Sequence, residues 1–264
     1  MMHTKIFFHH SKKGSARVSC EIFRLLAVFQ PVTVVDRDTL LSHMCNWPSA
    51  ENDITLTREL VNEELAKGWI FKFPGDLAAA QQAYPVGVAV GKLWVALSES
   101  RPPRLVVDQS ICGLNSRCAI PEKSTLPTAR DVLRCYPLRG PPSDVLGLSL
   151  DFKSAHKCVV IKESEQGLVG FSLEGSIYFY RVCPFGASFS ASWWSRLGGF
   201  ILRCMHQVIW WPHYDFLFVD DFLFYLHRNI MPISAASLCI FCLLCKVPLS
   251  WKKLELSTTI TWIG

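Results

Sequence analysis

Apolar residues along this chain change their spacing from segment to segment, and each change predicts an element. Phe189, Trp193, Leu197, Phe200, Ile201 and Met205 recur at helical spacing. They predict a long helix over 188–210 whose stripe faces a core. A second helix is expected over 55–69. Thr55 or Thr57 caps it, Glu59, Glu63 and Glu64 follow, and Lys67-Gly68 closes it. Its apolar face is Leu60, Val61, Leu65 and Ile70. Further helices are expected over 128–135, 154–163 and 233–245. Short apolar runs predict strands over 86–90, 104–108 and 145–150, the last ending in Asp151, and a final strand over 258–263. Two hairpins are expected, one over 170–180 around Glu174-Gly175 and one over 214–225 with Asp220-Asp221 at its tip. Residues 184–186 read as a turn. The breaker-rich run over 137–142 reads as a boundary between two lobes. Residues 1–52 offer little beyond an apolar stretch over 22–35 and a loop at 46–49.

Composition narrows the setting. Half the residues are hydrophobic and the mean hydropathy is +0.23. A membrane span needs about 18 or more uninterrupted apolar residues. The run over 231–244 has only 14 and carries Pro232, and the run over 216–225 is broken by two Asp. The apolar excess therefore implies a large core and no membrane partner. The first ten residues hold too short an apolar run for a signal peptide, which implies an intracellular protein, cytoplasmic or nuclear. Eleven cysteines, an odd number without a framework, imply reduced thiols. Cys239, Cys242 and Cys245 sit in an apolar helical run without a fourth ligand and are expected to pack rather than bind zinc. A net charge of +5 permits a nucleic-acid partner without demanding one.

The chemistry concentrates in carboxylates. Asp220 and Asp221, between Val219 and Phe222, repel each other and lose hydration. Open water at the hairpin tip, or a divalent cation, makes the pair tolerable. In an antiparallel α+β layer the strand ending in Asp151 can lie beside that tip. Three converging carboxylates without His or Cys select a hard cation such as Mg²⁺. Two such ions about 3.5–4 Å apart are a known device for in-line displacement at phosphorus.

Six segments in order resemble a retroelement (retrotransposon-type) reverse transcriptase, over roughly 58–264. Arg104-Leu-Val-Val-Asp108 with Leu114-Asn115 resembles the fingers segment. Leu150-Asp-Phe-Lys-Ser-Ala155 resembles the first catalytic segment, and Pro184-Phe-Gly-Ala-Ser-Phe-Ser-Ala191 the one that contacts template and nucleotide. Phe218-Val-Asp-Asp221 resembles the Tyr-x-Asp-Asp signature. Leu249-Ser-Trp-Lys-Lys-Leu-Glu-Leu256 and Ile260-Thr-Trp-Ile-Gly264 resemble the segments leading to the primer grip.

The resemblance implies a right-hand polymerase of α+β class. Residues 1–52 would be an N-terminal segment of unassigned role, 53–142 a fingers-like region, and 143–264 a palm with an antiparallel sheet packed on helices. It implies an RNA-directed DNA polymerase, a nucleotidyltransferase that extends a primer on an RNA or DNA template with deoxynucleoside triphosphates. Asp151 and Asp220 would hold two Mg²⁺ (Mn²⁺ as a substitute), with Asp221 in support. Arg104 would bind the triphosphate, Phe185 and Gly186 would face the nascent base pair, and His156 stands where a sugar gate is expected. Lys253, rather than Lys252, would protonate the leaving pyrophosphate if nearby charge depresses its pKa. Phe218 replaces the usual Tyr and keeps the ring. No thumb, RNase H or integrase region follows Gly264, so the resemblance also accommodates a truncated, inactive palm that keeps only nucleic-acid binding. An unrelated metal-dependent phosphoryl-transfer enzyme would leave the segments at 104–115 and 184–191 unexplained.

Overall fold

The computed structural model describes residues 40–99, 101–120, 124–135 and 144–262. The expected boundary at 137–142, the apolar stretch at 22–35 and the last two residues lie outside the described residues.

The described residues begin with α1 (Pro48–Glu51) and α2 (Ile54–Ala66), then β1 (Ile70–Lys72), α3 (Leu77–Ala83), β2 (Val90–Ala96), β3 (Arg104–Asp108), α4 (Leu114–Arg117) and α5 (Ala129–Cys135). It continues with β4 (Val145–Asp151), two 3₁₀ turns at Ala155–Cys158 and Glu163–Leu168, β5 (Gly170–Leu173), β6 (Ser176–Tyr180) and α6 (Ser188–Val208). The last elements are β7 (Tyr214–Phe218), β8 (Asp221–His227), α7 (Met231–Leu244), a 3₁₀ turn at Trp251–Lys253 and β9 (Glu255–Ser257). This is an α+β architecture with one mixed and one antiparallel sheet.

The first sheet runs β1-β6-β5-β2-β3 and the second β7-β8-β4-β9. The hairpin β5–β6 follows β4 in the chain, yet it returns to the first sheet. There β5 pairs parallel with β2, Val90 opposite Gly170. Its turn is built by Glu174 and Gly175, both at positive φ, as the expected hairpin requires. In the second sheet β4 is central and alternately packs Leu148 and Leu150 into the core, where both are almost fully buried. Helix α6 lies on β7 and against α7 and buries Trp193, Trp194, Leu197, Ile201 and Met205. The stripe is therefore core, as its spacing predicts.

Several expectations change. The cap of α2 is Asp53, whose side chain accepts from the Leu56 amide at 3.0 Å, rather than Thr55 or Thr57. Thr57 is buried instead and donates to the Ala50 carbonyl at 2.8 Å. The strand expected at 86–90 begins only at Val90, where pairing with β5 starts, and runs on to Ala96 beside β3. The helix expected at 154–163 shrinks to one 3₁₀ turn at Ala155–Cys158, opened by Ser154 at φ +57°, after which Val160 bridges Val182. The strand expected at 258–263 is absent among the described residues; β9, pairing Gly147 with Ser257, takes that edge of β4. Pro232 sits in the first turn of α7, where a missing N–H costs nothing.

The ten described cysteines are free, and Cys242 is fully buried in α7, consistent with packing. Burial pushes its thiol up to about 12. No described helix is long and apolar enough to cross a membrane.

Candidate active site

The hairpin β7–β8 turns through Val219 and Asp220, so only Asp220 lies at the tip, and Asp221 is already the first residue of β8. Register then decides the site. Asp221 sits directly opposite Asp151 at the end of β4. The Phe152 amide donates to the Asp220 carbonyl at 2.9 Å, locking the turn beside the first strand. Val219 holds φ +53°, unusual for a β-branched residue. Trp194 of α6 fixes that conformation by donating its Nε1–H to the Val219 carbonyl at 2.6 Å.

Aromatic side chains floor the site. Phe152 packs edge-on against Trp194 with ring centroids 4.8 Å apart and lies 5.4 Å from Phe222. This apolar layer withholds water from the carboxylates above it. Burial, reinforced by Asp220 and Asp151, raises the Asp221 carboxyl to about 6. Asp220 is also raised, first by burial and then by Asp151. Asp151 accepts from Lys253 Nζ at 2.8 Å. That hydrogen bond raises the lysine pKa, with the surrounding carboxylates adding to it. The depression that would suit Lys253 as a proton donor is therefore not met: the Asp151 hydrogen bond and the nearby carboxylates outweigh its small loss of hydration. Of the lysine pair it is Lys253 that reaches the site.

The arrangement carries an excess of negative charge with one ammonium against three carboxyl groups. All donors are hard oxygens, which fits a divalent cation such as Mg²⁺. Raised carboxyl values are the cost that such a cation would remove.

Removing the charge should therefore stabilise the metal-free protein. A carboxyl raised in the fold disfavours folding once it ionises, so stability falls as pH rises from about 4 through about 6. The shift of about two units corresponds to roughly 3 kcal/mol, and solvent screening at this half-buried side chain reduces it to about 1 kcal/mol. Asp221→Asn is expected to raise Tm by about 2–4 °C at pH 7 without divalent cation and by nothing near pH 4. Thermal unfolding followed by circular dichroism at both pH values checks this; an unchanged or lower Tm at pH 7 contradicts it.

The remaining expected residues form a second group, in which only His156 feels a carboxylate directly, that of Asp220. His156 packs on Phe185 with ring centroids 5.4 Å apart, and burial lowers its pKa against the opposing pull of Asp220. Its Nδ1 is buried without a hydrogen-bond partner among the described residues. The guanidinium of Arg104, at the exposed start of β3, lies 5.6 Å from the Phe185 ring. The Phe185 carbonyl accepts from the Val107 amide at 3.1 Å. Gly186 runs so close to β3 that a Cβ there would lie 1.9 Å from the Val107 carbonyl oxygen, at φ +100°. Gly186→Ala should displace this loop and cost about 2–4 kcal/mol through clash and strain combined. Urea denaturation checks the value; a loss below about 0.5 kcal/mol rules out the close approach.

Two positioning residues receive no role from the sequence, although Asn115 belongs to the fingers-like segment. Asn115 clamps the loop, donating to the Gly186 carbonyl at 2.8 Å and accepting from the Ser188 amide at 2.8 Å. Lys157, buried, reaches Glu64 of α2 at 3.0 Å and lies 5.8 Å from the Phe185 ring. The sequence signal for the first was its place after β3. For the second there was none, since Glu64 reads as one of several surface acids.

No known family model matches the chain, and no curated protein matches it. Solved structures do. The foamy viral protease-reverse transcriptase in complex with RNA/DNA hybrid aligns with a TM-score of 0.65 at 13% identity, over 89% of this chain and 28% of that one. The foamy viral enzyme in complex with dsDNA gives 0.62 at 14% identity, over 89% of this chain and 44% of that one. A third structure, the foamy viral protease-reverse transcriptase dRH with ds DNA, gives 0.64 at 14% identity, over 89% and 36%. The chain thus spans roughly a third of the length of the structures it resembles. At this identity the likeness bears on fold, and the fold is reverse-transcriptase-like.

Proposed function

We propose that this chain is the fingers and palm segment of a retroelement reverse transcriptase, an RNA-directed DNA polymerase. The observation that carries the reading is the register pairing Asp151 with Asp221, with Asp220 in the adjoining turn, inside a reverse-transcriptase-like fold. Fingers would span about 53–142 and palm 143–264. Asp151 and Asp220 would hold two Mg²⁺ ions, with Asp221 supporting, and the bound ions would lower the pKa of the primer 3′-hydroxyl and neutralise the triphosphate.

The protein's own groups do the rest by position and charge. The aromatic floor under Asp151 and Asp221 keeps water low and strengthens electrostatics at the reacting atoms. Arg104 offers a guanidinium fork to phosphate oxygens. Phe185 gives a flat face to the nascent base pair, and Gly186 lets the backbone approach it. His156, tilted against Phe185, would border the sugar position. Lys253, whose proton Asp151 holds more tightly, would become a proton donor to the leaving pyrophosphate only once a bound cation drew the Asp151 carboxylate away from it. An open groove lined by Trp47, Trp94, Val106 and Gly186 offers aromatic faces on which nucleobases stack.

Primer extension on an RNA template with deoxynucleotides and Mg²⁺ tests the proposal, beside an Asp220→Asn, Asp221→Asn double variant. Extension by the parent and its loss in the variant are expected. A folded parent that does not extend, or a variant that extends equally well, overturns it.

A further inference from the structure

A second cluster of ligand-type side chains lies away from the carboxylates. Among the described residues, His206, His213 and Asp215 are the group whose metal-capable atoms all fall within 4.8 Å of one another. His206 is in the last turn of α6, His213 in the loop that follows, and Asp215 at the start of β7. Asp215 pairs with Phe224, five residues back from Asp220, which puts the cluster about 17 Å along the strand from the hairpin turn.

The cluster is built for more than an ion pair. His206 Nδ1 meets Asp215 Oδ2 at 2.9 Å. His213 has its side chain 3% exposed, and its Nε2 has no hydrogen-bond partner among the described residues. That nitrogen is 3.8 Å from the same Asp215 oxygen, too far for a hydrogen bond. Its other nitrogen, Nδ1, lies 2.8 Å from the Trp211 carbonyl. An N–H at Nδ1 donating to that carbonyl fixes the tautomer, so Nε2 carries a lone pair aimed at Asp215. A backbone carbonyl orienting an imidazole in this way is the usual support behind a metal-ligating histidine. The two imidazoles face each other with centroids 4.3 Å apart, and burial favours the neutral form of His213. An ion pair between His206 and Asp215 leaves the buried Nε2 unsatisfied; a cation between the three satisfies every donor.

We infer that His206, His213 and Asp215 form a binding site for a divalent transition metal, Zn²⁺ by its donor set, which ties the end of α6 to β7. Tetrahedral ligands about 2.0–2.1 Å from zinc are about 3.3 Å apart, a value bracketed by the 2.9 and 3.8 Å separations here. Two imidazoles and one carboxylate favour Zn²⁺ or Co²⁺ over Mg²⁺, which takes oxygen donors. The side chain of His206, 35% exposed, leaves a fourth position to water. The inference does not depend on the polymerase reading, because Asp220 and Asp221 take no part in it.

The test uses the whole 264-residue chain, stripped by chelator and titrated with Co²⁺ in excess Mg²⁺. One equivalent of Co²⁺ should bind with visible absorption and be displaced by Zn²⁺, and Zn²⁺ should raise Tm. His206→Gln and Asp215→Asn should each weaken binding at least tenfold, while Asp220→Asn, Asp221→Asn keeps it. His213 is buried, so the more open His206 and the near-isosteric change at Asp215 carry the test. Absence of saturable binding by the parent overturns the inference. So does binding unchanged in both variants, or binding lost only when Asp220 and Asp221 are replaced.

Discussion

Asp151→Asn is expected to lower primer extension by at least about a thousandfold, roughly 4 kcal/mol of transition-state stabilisation, while the protein stays folded. The carboxylate is the point where three elements meet. It ends β4, faces Asp221 across the ladder and accepts from Lys253 at 2.8 Å. Asn keeps the volume and one oxygen, so the local packing survives. It removes the charge that a divalent cation and Lys253 both need. Lys253→Ala should be milder, about tenfold to a hundredfold, since it removes a proton donor and leaves the carboxylates in place. Single-turnover extension at saturating template and nucleotide separates the two. An Asp151→Asn protein retaining more than a tenth of the parental rate contradicts the assignment.

Lys157→Ala should be the most destabilising substitution considered, by about 3–5 kcal/mol. Lys157 and Glu64 have side chains 3% and 11% exposed and meet at 3.0 Å. Removal of the ammonium strands a buried carboxylate, which is costlier than the pair was favourable. The ammonium also lies 4.1 Å from the centroid of the Tyr180 ring, and alanine forfeits that cation–π attraction too. Lys157→Met with Glu64→Leu should recover most of the loss, because neither charge then remains buried. Urea denaturation of parent, single and double variants decides it. A single variant within 1 kcal/mol of the parent, or a double variant as unstable as the single, defeats the account.

Local elements, and the chemistry they can carry, are legible in the chain before it folds. The turn at Glu174-Gly175, the strands at 104–108 and 145–151 and the helix at 188–208 follow from periods of two and 3.6 residues and from turn chemistry. Those signals act between neighbours, and neighbours are adjacent in a string. The same holds for the three carboxylates and their order along the chain.

Meetings across long separations belong to the folded molecule alone. The β5–β6 hairpin left the strand it follows and joined the first sheet. Register brought Asp221, rather than the hairpin tip as a whole, opposite Asp151. Glu64 found Lys157 across 93 residues, and a buried acid on an amphipathic helix looks like any surface acid until its partner is placed. His206, His213 and Asp215 are near in sequence, yet their meeting depends on how α6 ends and on where β7 begins. Pairing of distant strands and burial of polar groups are set by the complementarity of whole surfaces, which no short window of sequence contains.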